Sequence, residues 1–175
     1  MLIRRITLNK KHKILISSSI FLNLVLISIV IWSVIQMNYI TERTLKTNAI
    51  DKLFELHETI SKQENENWTN LDLLSKQLED TALSTMHALN IGVTSKTINK
   101  DDDEMLLTLG NYLIRYSITI ESHLSAEAVE EMKLNLISFN RILAENGFDN
   151  EATFDGWTKQ NYLKKIRNIV SEIEK

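Results

Sequence analysis

The chain has 175 residues, about one domain's worth, with no proline, four glycines and no cysteine. The missing cysteine excludes disulfides, thiolate nucleophiles, zinc fingers, iron–sulfur ligation and lipid attachment through a thiol. The missing proline removes the hardest stop for a helix and favours long helices over a sandwich or barrel, which needs many turns.

The net charge of −3 is unevenly spread. Residues 1–13 carry Arg4, Arg5, Lys10, Lys11 and Lys13 and no acid, and residues 14–37 carry no charge. Residues 38–175 hold the other 15 basic residues against all 23 acidic ones, a balance of −8. The basic end suits anionic lipid, and the acidic remainder argues against nucleic acid, which demands a positive face.

Ile14 to Met37 is a run of 24 uncharged residues. At a 1.5 Å rise that is about 36 Å of helix, enough to cross a hydrocarbon core of about 30 Å with some tilt. Its strongly apolar part runs from Ile20 to Ile35 and supplies the expected membrane-anchoring residues Ile20, Phe21, Leu24, Val25, Leu26, Ile27, Ile29, Val30, Ile31 and Trp32. Trp32 and Tyr39 lie towards the far end, where amphipathic rings favour the lipid–water interface. A buried core helix would leave the five preceding positive charges unexplained. A cleaved signal peptide would need small residues after the apolar run. Ile31 is followed by "WSVIQMNYITERT", and the first alanine in the chain is Ala49. The expected element is therefore a retained signal anchor. Arg4, Arg5, Lys10, Lys11 and Lys13 form its basic flank, against Arg43, Lys46 and Lys52 beyond it. That bias places the N-terminus in the cytoplasm and residues 38–175 outside. Asn23 is the costliest interruption, readable as a tolerated amide or as a polar contact to another helix.

Beyond the anchor, apolar residues recur at helical spacing. Leu45, Ala49, Leu53, Leu56 and Ile60 form the first stripe, with Ile50 and Phe54 beside it, and nothing breaks the helix before about Gln63. "KQENENWTN" reads as a polar connection, with Asn70 or Thr69 capping a second helix along Leu71, Leu74, Leu78, Ala82, Met86 and Leu89. That helix is expected to fray near Gly92. Asp101, with Glu104 three residues on, is the expected cap of a third helix bearing Met105, Leu109, Tyr112, Leu113, Tyr116 and Ile120. Ser125 opens a fourth, with Val129, Met132, Leu136, Phe139 and Leu143, and Gly147 closes it. Asp155 is the expected cap of a last helix with Tyr162, Ile166, Ile169, Val170 and Ile173. Each helix has one wide stripe and the connections are short, so the stripes must cover one another in an antiparallel bundle of four or five helices.

The reactive side chains form no recognisable catalytic or metal-binding pattern in the sequence. His12, His57, His87 and His123 show no metal-binding spacing, and His57 reads as a bundle histidine beside Glu58. Asp101–Glu104 and the stretch from Glu151 to Tyr162 miss the calcium-loop code, the second at its twelfth position. Glu127, Glu130 and Glu131 sit where a helix begins, which accounts for them. No nucleophile elbow, phosphate-binding loop or dinucleotide glycine pattern occurs, and "NWT" at Asn67 is a glycosylation sequon by pattern only.

The expected protein is an all-α, single-pass membrane protein without cofactor or metal and not an enzyme. It would meet membrane lipid and act on a protein partner, for which a membrane protein is one candidate, and a homo-oligomer is compatible with the same layout. The roles that fit are subunit, inhibitor or immunity-type regulator of a membrane or envelope complex. A sensory input bundle resembling chemoreceptors in layout alone is the next alternative, and a phage-type lysis or exclusion regulator shares the same topology.

Overall fold

The computed structural model describes residues 10–121, 125–150 and 157–175. Among these the chain is helical throughout, without a strand. It divides into two compact units, residues 1–39 and 40–175. Helix α1 spans Lys10–Thr44 and is followed by a π-helical segment, Leu45–Ile50, and then by α2, Asp51–Asn65. The others are α3, Leu71–Thr94; α4, Lys100–Glu121; α5, Ala126–Glu145; and α6, Lys159–Ile173.

The second unit is built on the stripes read from the sequence. Leu45, Ala49, Leu53, Leu56 and Ile60 are all fully buried. In the π-helical segment the turn is wider, and the Asp51 N–H reaches Lys46 O, five residues back. That widening brings both Ala49 and Ile50 into the core, although they are adjacent in sequence. Leu74, Leu78 and Ala82 of α3, Leu106, Leu109 and Leu113 of α4, Leu136 and Phe139 of α5, and Ile166 and Ile169 of α6 complete the interior.

Cross-helix contacts fix the directions. Lys52 and Glu55 of α2 meet Asp80 and Gln77 of α3, at 2.9 and 3.2 Å, so α2 and α3 are antiparallel. Ser75 meets Ser117 at 3.1 Å, and Gly92 lies against Ile98 just before α4, so α3 and α4 are antiparallel too. Asn140 of α5 donates to Ser61 Oγ of α2 at 2.9 Å. Arg167 of α6 binds Asp102 of α4 at 2.6 Å.

The helix ends follow the local chemistry. After α2, Asn67 and Trp68 take left-handed φ values of 54° and 59°, and the Trp68 N–H returns to Gln63 O at 2.7 Å. Asn70 caps α3 by accepting from the Leu73 N–H. Gly92 does not fray α3, which runs on to Thr94 with Gly92 buried. The cap of α4 is Asn99, whose Oδ1 accepts from the Asp102 N–H at 2.8 Å, and not Asp101. The helix starts two residues earlier than expected, so Asp101, Asp102 and Asp103 all fall in its first turn, where negative charge complements the dipole. Ser125 caps α5. Gly147, at φ 89°, ends it with the Phe148 N–H returning to Leu143 O at 3.0 Å. Asp155 lies outside the described residues, and Thr158 caps α6.

Candidate functional site

The most unusual surface in the molecule belongs to α1. Among the described residues it is the one helix long and apolar enough to cross a membrane. Ile20, Phe21, Leu24, Val25, Leu26, Ile27, Ile29, Val30, Ile31 and Trp32 are all exposed, from 38% at Val25 to 69% at Phe21. An amphipathic helix buries one stripe and shows water a polar face. This segment has no polar face to show, because consecutive residues point all round the helix and nearly all are apolar. A surface of this kind marks contact with lipid or with another apolar body. Two of its polar side chains bond back to their own helix: Ser28 Oγ donates to Leu24 O at 2.9 Å, and just beyond the apolar run Asn38 Nδ2 donates to Val34 O at 3.2 Å. Lys10, Lys11 and Lys13 lie in the first turns of α1. Arg4 and Arg5 lie outside the described residues.

The second unit keeps its polar groups dispersed in helix-to-helix contacts. Thr41 Oγ1, fully buried, lies 2.6 Å from Thr97 Oγ1 and 3.2 Å from Ser95 Oγ, which ties the turn after α3 to the chain just before the π-helical segment. Lys159 Nζ donates to Thr97 O at 2.9 Å from the start of α6. Asp102 is buried and receives the exposed Arg167 guanidinium. Lys52 Nζ sits 2.7 Å from Glu55 and 2.9 Å from Asp80. The hydrogen bond to Glu55, then that to Asp80, raises its pKa above the ordinary lysine range. Burial raises the Tyr112 phenol likewise, helped by its bond to Tyr116. Each of these arrangements joins two elements or steadies one, and none points a nucleophile, base and anion-binding donors at a common space.

The residues weighed for chemistry are scattered. His12 and His87 are exposed on different helices, and His57 is half-buried with an Nδ1 that has no hydrogen-bond partner. His123 lies outside the described residues. Glu127, Glu130 and Glu131 are exposed on the first turns of α5, and Glu130 pairs with Lys133 at 2.6 Å. Among the described residues no three His, Asp or Glu side chains gather closely enough to hold a metal ion. A shallow open depression at the α3–α4 turn is lined by Val93, Lys96, Ile98, Asn99, Lys100 and Asp103.

What the sequence reading missed is the pairing of Asp102 with Arg167 and the hydroxyl contacts of Thr41, Ser95 and Thr97. Both link residues more than 50 positions apart, which no periodicity reveals. No family model matches the chain, no curated protein matches its sequence, and no solved structure matches its fold.

Proposed function

We propose that the protein is anchored in a membrane by residues 14–37 and acts through protein–protein contact, as a subunit, inhibitor or immunity-type regulator of a membrane or envelope complex. One observation carries this reading: the helix that is apolar on every side is also the one that leaves its large side chains exposed. In water such a surface is costly at roughly 25 cal/mol per Å² of apolar area, and in hydrocarbon that cost vanishes. The basic residues before the segment favour a cytoplasmic N-terminus, with residues 38–175 on the outer side. The helical body then supplies a binding surface. Its polar groups serve packing, which supports recognition over catalysis.

The test is extraction of the full-length chain. The reading expects it to remain in the membrane pellet through an alkaline carbonate wash, to dissolve in mild detergent, and to bring down a stoichiometric protein. Recovery of the intact chain in the soluble fraction without detergent would refute the anchor. A chain that purifies alone and turns over a substrate would refute the interaction role.

A further inference from the structure

We propose that Asn23 hydrogen-bonds to Asn23 of a second copy of this chain, holding two α1 helices side by side within the bilayer. The inference rests on the membrane reading above. Asn23 stands nine residues after Ile14 and 14 before Met37, about 4 Å from the middle of that segment at a 1.5 Å rise. Its side chain is exposed. Ser28 and Asn38 each bond back to the carbonyl four residues earlier, whereas Asn23 makes no such bond to Ser19 O. Even that bond would leave one N–H and the side-chain oxygen open, since an amide offers two donors and one acceptor oxygen. In hydrocarbon no water fills those positions, so the demand for a partner is far stronger than at an aqueous surface.

The amide's own chemistry selects the partner. It carries donor and acceptor on one group, so two copies related by a two-fold axis satisfy each other reciprocally. Identical anchors inserted the same way also hold their Asn23 residues at one depth. A different protein would need a polar group matched to that level. The same face supports close approach: Ser19 precedes Asn23 by four residues, and Leu26, Val30 and Ser33 follow it at three- and four-residue steps. The two serines among them let helix backbones draw near, as membrane helix pairs require. The segment carries no charge to oppose the pairing.

The experiment measures self-association of the full-length chain by energy transfer between fluorescently tagged copies in lipid vesicles, for the natural protein, Asn23→Val and Asn23→Gln. The natural chain is expected to dimerise. Valine should weaken dimerisation about three- to tenfold, the range that interhelical polar contacts in membranes span. Glutamine, which keeps both donor and acceptor, should retain most of it. A carbonate wash run on the same three proteins separates the two ideas. If all three stay in the pellet but the natural chain is monomeric, or Asn23→Val dimerises as well as the natural chain, the Asn23 pairing is wrong and the anchor stands. If instead a different protein co-purifies one-to-one and is lost with Asn23→Val, the second-copy assignment is overturned. If all three wash off, the membrane reading fails and takes this inference with it.

Discussion

Asp102 and Arg167 tie α4 to α6 through a contact of 2.6 Å in which the carboxylate side chain is 7% exposed and the guanidinium 57%. The two ends of this pair are therefore unequal. Removing the arginine leaves a buried charge without its cation, while Asp102→Asn keeps a polar group of the same shape and abolishes the charge. Arg167→Ala should lower stability by about 1–2 kcal/mol, less than for a fully buried pair because the exposed guanidinium is screened. Asp102→Asn should cost less than Arg167→Ala. Urea midpoints of the full chain in detergent measure both. Equal losses would mean that the pair acts by packing alone.

The two helix-interior glycines should respond in opposite directions. A Cβ on Gly92 would fall inside contact distance of Ile98 Cδ1 and 3.1 Å from Ile98 Cβ, and Ile98 is 8% exposed. Gly92→Ala should therefore destabilise by about 1–3 kcal/mol, the usual cost of an overpacked interior. Adding Ile98→Ala removes Cδ1 and Cγ1, the two atoms that the new Cβ would overlap, so the double substitution should cost less than the sum of the singles. A Cβ on Gly110 would meet Met86 Cε at 3.0 Å and Cγ at 3.1 Å, both on one flexible side chain. Gly110→Ala should be neutral or stabilising by up to about 1 kcal/mol, through helix propensity. Thermal midpoints rank the variants, and a Gly92→Ala protein as stable as its parent would refute the packing assigned to Ile98.

The contrast shows what a single sequence makes legible. Apolar period located most of the buried apolar positions of the second unit, because burial of a stripe is a local rule: Leu74, Leu78, Leu109, Leu136 and Ile166 are all fully buried as the spacing requires, while Leu106, Ile142 and Leu163, also buried, lie beside the stripes. Capping chemistry placed Ser125 and Gly147 for the same reason. The misses come from competition or distance. Asn99 and Asp101 both suit a helix start, and only packing decides that the helix begins at Lys100. Asp102 lies within the acidic run Asp101–Glu104, and its distinction arises from Arg167, 65 residues away. The π-helical turn at Leu45–Ile50 leaves no mark in composition, since its residues are ordinary helix and core types.

Alkaline pH should weaken the second unit. Lys52 has its pKa raised by Glu55 first and Asp80 second, and Tyr112 has its own raised by burial first. Both groups hold their protons to higher pH in the folded chain than in the unfolded one. The unfolded chain gives them up near the ordinary values of 10.5 for lysine and 10.0 for tyrosine. Proton release then favours unfolding, so the contribution of these two groups is constant below about pH 9 and is lost as pH climbs through 10 and beyond. Tyr112→Phe should reduce the loss between pH 8 and 10.5, as Lys52→Met should. Urea midpoints across that interval check the sign, and a Tyr112→Phe protein with an unchanged pH slope would exclude the phenol as a source.

The proposed anchor makes two demands that can be separated, one on the middle of the segment and one on its flank. A lysine at the centre of a membrane helix costs about 2.5–3.5 kcal/mol of insertion free energy. Ile27→Lys should therefore shift much of the protein out of the carbonate-resistant pellet, whereas Ile27→Leu should not. The flank bears on direction instead. Replacing Arg4, Arg5, Lys10, Lys11 and Lys13 with glutamine leaves Arg43, Lys46 and Lys52 as the basic residues nearest the segment. The bias then reverses, and a fraction of chains should insert with residues 38–175 inside. Protease added to intact cells reads this directly. It should digest residues 38–175 of the natural chain and spare part of the substituted population, while both resist carbonate. Full protection of the natural chain would reverse the orientation and leave the anchor in place, because hydrophobic length and charge bias act through different terms of the insertion free energy.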